Sequence, residues 1–193
     1  MPRYLDLPTI VMYPAPEETI RGVIRQTVGL HNVRSILDVG SGHGGVFDYD
    51  FWTRWPVARR TTCDIHSVRE MAPVWEQRVG VDAHRLSDVF APQSFDLVQC
   101  MEVLEHVAAP RTVLEQLCLV ARKLVVVTSA DEMYHGYDEQ GRFHEESEQA
   151  QIERVNPHQR YRGQPRVSDL RALGFDVRVE ATGRRQLVAW KVI

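Results

Sequence analysis

The segment Ser35-Ile-Leu-Asp38-Val-Gly40-Ser41-Gly42-His43-Gly44-Gly45 narrows the possible folds more than any other part of the chain. A short apolar run ending in clustered glycines reads as a buried strand that turns sharply into a helix, where backbone amides can come close to a ligand. Two patterns overlap there, GxGxG and the GxGxxG of Gly40, Gly42 and Gly45. Either a dinucleotide or another nucleoside cofactor would satisfy them. Asp38 is an acid in a strand that, buried in a parallel sheet, would ordinarily be apolar throughout. Its carboxylate therefore needs polar company, most simply the amides of the turn.

Around this segment helical and strand patterns alternate. Glu17 to Leu30 places Ile20, Val23, Ile24, Thr27 and Val28 at helical spacing and reaches Gly29 near its end. Arg60 to Ile65, Arg85 to Asp88, Phe95 to Met101 and Leu124 to Thr128 read as strands. Pro110 opens a helix whose Val113, Leu114, Leu117, Val120 and Ala121 share one side, making a crossover between two strands. Ser168 is placed to cap a short helix ending at Gly174, and Phe175 to Glu180 with Gln186 to Ile193 form a terminal hairpin. The expected architecture is α/β: a single Rossmann-like, doubly wound sheet, mostly parallel, with an antiparallel C-terminal strand.

At 193 residues the chain is of single-domain size. Residues 1 to 16, with four prolines, read as an irregular arm, and 17 to 193 as the domain, with a lid insertion at about 130 to 165. In and just after that lid residues 131 to 148 hold seven acids against Arg142, and 154 to 171 hold five arginines against Asp169, which reads as solvated faces that partly neutralise each other. A net charge of −3 lacks the broad positive field of a non-specific nucleic-acid binder. No apolar run approaches the ~18 residues that span a bilayer, and no secretory signal opens the chain, so a cytoplasmic protein is expected. Cys63, Cys100 and Cys118 are odd in number and lack CxxC spacing, which points to reduced core thiols.

Taken together, Asp38-Val-Gly40-Ser41-Gly42-His43-Gly44, Asp64-Ile65, Asp88-Val89 and Phe95-Asp-Leu-Val-Gln-Cys100-Met101-Glu102 resemble the class I S-adenosylmethionine-dependent methyltransferases. The resemblance runs in order from Ser35 through the terminal hairpin. It implies S-adenosyl-L-methionine as cofactor, with Gly40, Ser41, Gly42 and Gly44 under its methionine part and Asp38 supporting that turn. Asp64 would accept hydrogen bonds from the ribose, Ile65 would pack on adenine, and Asp88 with Val89 would read the base. Cys100 and Met101 would lie beside the reacting methyl. His43 departs from the family's usual glycine turn.

The chemistry is expected in Glu102-Val-Leu-Glu105-His106. If helical, at about 100° per residue, the three polar groups occupy an arc of about 100° and face one site. An imidazole titrates near neutral pH, which suits a general base for a hydroxyl or phenol. The same triplet could hold Mg²⁺ or Mn²⁺, completed by His158, or by His135 or His144. In that respect it resembles the metal-dependent small-RNA 2′-O-methyltransferases and the ubiquinone-pathway O-methyltransferases. The expected reaction is methyl transfer to oxygen or nitrogen of a small molecule, a natural product or glycan, with Met133, Tyr134, His135, Tyr137 and Phe143 of the lid against it. A metal-dependent RNA 2′-O-methyltransferase, an NAD-dependent oxidoreductase and a non-catalytic nucleotide-binding protein remain the alternatives.

Overall fold

The structure, a computed structural model, describes residues 17–29, 32–41, 57, 59–66, 76–130, 166–180 and 186–193. Helix α1 (Glu17–Thr27) is followed by strands β1 (Ser35–Val39), β2 (Arg59–Asp64), β3 (Glu76–Val79) and β4 (Phe95–Met101). Helix α2 (Pro110–Val120), β5 (Ala121–Ala130), α3 (Val167–Ala172), β6 (Asp176–Glu180) and β7 (Gln186–Val192) complete the chain. The seven strands form one sheet in the order β3-β2-β1-β4-β5-β7-β6. β1 to β5 pair in parallel, whereas β7 is antiparallel to both its neighbours. The doubly wound sheet is therefore as expected, but the antiparallel strand is interior and β6 forms the edge.

Alternation along the strands divides the core into two layers. Leu37, Val39, Cys63, Val98, Cys100, Val125 and Val127 face α2, which buries Val113, Leu114, Leu117 and Val120 against them. Ile36, Leu97, Leu124, Val126 and Val188 face α1, which buries Val23 and Ile24. α1 stops at Thr27, three residues earlier than its periodicity predicts. Gly29 adopts φ +73° there and its amide donates to the Ile24 carbonyl at 2.9 Å, the left-handed ending that glycine permits. Cys63 and Cys100 are buried free thiols, and Cys118 is a half-buried one. Among the described residues no helix is long and apolar enough to cross a membrane.

Three expectations need correction. The third strand is Glu76–Val79, and residues 85 to 88 lie in a 3-10 turn over Ala83–Asp88. Glu-Gln-Arg-Val shows no apolar alternation because β3 pairs only with β2, and all but its first residue are exposed. β5 is also longer than the predicted Leu124 to Thr128. Ser168 does not cap α3: the flanking residue is Arg166, and Ser168 lies within the helix. The N-terminal arm and lid residues 131–165 lie outside the described residues.

The amino-terminal edge of the sheet is held by Asp96, which is nearly buried. Its carboxylate accepts from the Arg34 amide at 2.9 Å and lies 3.3 Å from Arg122 Nη1 and 3.2 Å from Lys123 Nζ. Burial pushes this carboxyl up, but the Arg34 amide and the two cations hold it below the ordinary carboxylate range. Because both cations are partly solvated, Asp96→Ala is expected to cost about 1–3 kcal/mol of stability. Urea unfolding would measure that loss, and cofactor affinity should not change, since Asp96 lies at the opposite edge from the candidate site.

Candidate active site

In a doubly wound sheet ligands bind at the carboxyl ends of the strands where the order reverses, here between β1 and β4. β1 runs into Gly40, whose φ of +73° is unfavourable for residues with a side chain. A Cβ at this position would fall 2.3 Å from Val103 Cγ2, so the turn out of β1 passes directly under the chain leaving β4. That chain reverses at Glu102, a non-glycine residue at φ +53°, whose amide donates to the Thr128 carbonyl at 3.1 Å. Such left-handed non-glycine positions are sparsely populated and concentrate at functional sites.

The two described amides of the glycine turn do not serve Asp38. Gly40 N and Ser41 N both donate to the Cys63 carbonyl, at 2.8 and 3.3 Å, which ties the ends of β1 and β2 together. Asp38 instead lies between Thr62 of β2 and Gln99 of β4 in register. Burial pushes its carboxyl up to about 7; the Gln99 amide offsets part of this, and the Asp64 charge adds to it. The folded protein therefore keeps this proton between about pH 4 and 7, where an unfolded aspartate has lost it. The sign is that stability from this group declines as pH rises through that window and levels off above about 7. Asp38→Asn is thus expected to be more stable than the parent at pH 8, with the gap closing toward pH 4, as followed by denaturation midpoints across pH.

At the end of β2, Asp64 is nearly buried and its Oδ1 accepts from the His66 amide at 2.8 Å. The adjacent Ile65 is 52% exposed, a bare apolar side chain at the strand end. The Asp64 carbonyl accepts from Val81 N at 3.0 Å, which brings the end of β3 alongside. The acid there is Asp82, which the sequence reading missed by placing the third strand too late. Its Oδ1 accepts from the His84 amide at 2.9 Å and lies 2.8 Å from His84 Nδ1. Burial raises its carboxyl and the His84 contacts more than reverse that. Asp88 and Val89 close a 3-10 turn that packs on α2, and Asp88 pairs with Arg85.

Glu102, Glu105 and His106 do not share a helical arc. Only Leu104–His106 forms a 3-10 turn, and Glu102 precedes it with left-handed backbone. Glu105 is 1% exposed and accepts from Ser129 Oγ at 3.1 Å, clamping this turn to the end of β5. His106 is half-buried. Cys100 points into the α2-side core, where burial pushes its thiol well up, and Met101 packs in the α1-side core. Among the described residues no three His, Cys, Asp or Glu side chains gather to hold a metal ion. His135, His144 and His158 lie outside the described residues, as do Gly42, His43, Gly44 and Gly45.

The site is thus that of a fold that binds a nucleoside cofactor at its carboxyl edge, with a cradle only glycine fits, an acid and an exposed apolar side chain. Residues 37–126 match the family described as "Methyltransferase domain". A methyltransferase from Archaeoglobus fulgidus that depends on S-adenosylmethionine superposes with TM-score 0.57 at 14% identity, over 91% of this chain and 94% of that one. Magnesium protoporphyrin IX methyltransferase from Synechocystis, solved with S-adenosylhomocysteine, gives 0.54 at 15%, over 91% and 82%. The CurJ carbon methyltransferase gives 0.53 at 14%, over 83% of this chain and 48% of that one, so the chain spans about half its length. At such identities the likeness is one of fold. No curated protein matches the chain in sequence. The inserted antiparallel β7 departs from the 3-2-1-4-5-6 order of dinucleotide-binding folds. By strand order and matched segment the chain is similar to the methyltransferases that share this fold.

Proposed function

We propose that the protein methylates an oxygen or nitrogen atom of a small molecule. The observation that carries this reading is the meeting of the β1 and β4 ends at Gly40 and Val103, with half-buried His106 three residues beyond Val103. S-adenosylmethionine supplies a methyl carbon on a sulfonium, so the protein's main task is alignment. Asp64 would accept hydrogen bonds from the ribose, and Ile65 would cover one face of the adenine. Asp82, which lies beside the end of β2, would face the base in place of Asp88. With the cofactor bound, the acceptor would displace the methyl group from sulfur, leaving S-adenosylhomocysteine, and His106 would take the acceptor's proton. Glu105 holds the turn that presents His106, and does so through Ser129.

Calorimetric titration with S-adenosylhomocysteine tests the cofactor half, with saturable binding near one equivalent expected. Transfer of labelled methyl to a panel of phenols, sugars and amines tests the acceptor half. In that assay His106→Ala should lower kcat by about 10²–10⁴ while leaving the affinity for S-adenosylhomocysteine unchanged. Equal activity in parent and variant would remove His106 from the reaction.

A further inference from the structure

Thr62, Asp38 and Gln99 stand side by side on β2, β1 and β4, in register and on the face that α1 covers. Thr128 of β5 lies one step further toward the carboxyl edge on the same face, beyond Val126, the residue opposite Gln99. All four side chains are buried. Adjacent strands lie ~4.8 Å apart, so these groups form one polar stripe inside an otherwise apolar layer.

The stripe is poorly satisfied by the protein. Thr62 Oγ1, Thr128 Oγ1 and both amide atoms of Gln99 find no hydrogen-bond partner among the described residues. Gln99 is close enough for its amide dipole to act on the Asp38 carboxyl, yet outside hydrogen-bond geometry. Buried polar groups in folded proteins are almost always paired, and where protein partners are missing an ordered internal water usually serves, making about three hydrogen bonds. Two hydroxyls, an amide and a carboxyl offer donors and acceptors of both kinds, as water requires.

We propose that the stripe Thr62–Asp38–Gln99–Thr128 is a binding site for enclosed water, and that this water fixes the Asp38 side chain beneath the glycine turn. Water chained along the stripe links hydroxyls on β2 and β5 to the carboxyl on β1, so the turn rests on a hydrated strut rather than on direct side-chain contacts. The first clause stands on the buried atoms alone. The second, that the strut supports cofactor binding, rests on the methyltransferase reading.

Water oxygen-17 relaxation dispersion counts long-lived internal waters in the full chain without cofactor. The expected result is at least one such water that disappears in Thr62→Val/Thr128→Val, each swap being close to isosteric. S-adenosylhomocysteine should then bind about tenfold more weakly to the folded variant, the scale of one lost hydrogen bond. An unchanged water count overturns the proposal. So does a variant more stable than the parent, which is what removing dry, unpaired hydroxyls would give. Should the double variant fail to fold, Thr128→Val alone carries the same comparison. If the water is lost as expected but the parent takes up no S-adenosylhomocysteine, the methyltransferase reading fails and the water site stands.

Discussion

Gly40→Ala is expected to lower unfolding stability by about 2–5 kcal/mol and to abolish measurable binding of S-adenosylhomocysteine. Two costs add. Left-handed backbone costs a residue with a Cβ about 1–2 kcal/mol. The new methyl would also sit 2.3 Å from Val103 Cγ2, and forcing extra atoms into packed surroundings costs about 1–3 kcal/mol more. Relief would require the turn after β4 to move, and with it Glu102 and His106, so the binding edge is lost together with the stability. Gly80 separates the two costs. It has φ +78° with nothing within 4 Å of its added Cβ, so Gly80→Ala should lose only the backbone share. Urea midpoints for the two variants decide the matter: equal losses would mean that the contact with Val103 carries nothing.

Asp64→Ala is expected to weaken S-adenosylhomocysteine binding by about ten- to hundredfold, since hydrogen bonds to a charged acceptor are worth about 1.5–3 kcal/mol. The same carboxylate accepts from the His66 amide, so a drop in stability accompanies the alanine change. Asp64→Asn retains an oxygen for that amide and removes only the charge. If Asp64 serves the ribose, the asparagine variant keeps its melting temperature and still binds weakly in calorimetry. Full affinity in the asparagine variant would leave Asp64 as a turn residue.

What the sequence made legible follows from burial. β4, α2 and β5 carry dense apolar patterns because they lie at the centre of the sheet or pack on it; β4 and α2 were read with the correct type and nearly the correct bounds, and β5 with the correct type but only its central half. β3 escaped because an exposed edge strand needs no apolar side, and the missed strand took Asp82 with it. Asp38 and Asp64 stand out because acids are rare at the ends of buried parallel strands. Their neighbours could not be read, because Gln99 and Thr62 come to Asp38 only through register across three strands. The Glu102-to-His106 segment misled for another reason: a regular helical angle was assumed where a single left-handed residue turns the chain.

The position of β7 has a consequence for how the molecule is made. β6 leaves the ribosome first, yet its place is beyond a strand that does not yet exist, since β7 separates it from β5. Until Gln186–Val192 emerges, β5 presents a bare, strongly apolar rim and β6 has nothing to pair with. Such unpaired rims are the surfaces through which nascent chains associate wrongly. Completion of the sheet is thus a late, wedge-like insertion. Substitutions that slow it, such as a proline at Val188 between Thr128 and Arg178, should show up as lower soluble yield during synthesis before they register in the behaviour of the finished protein.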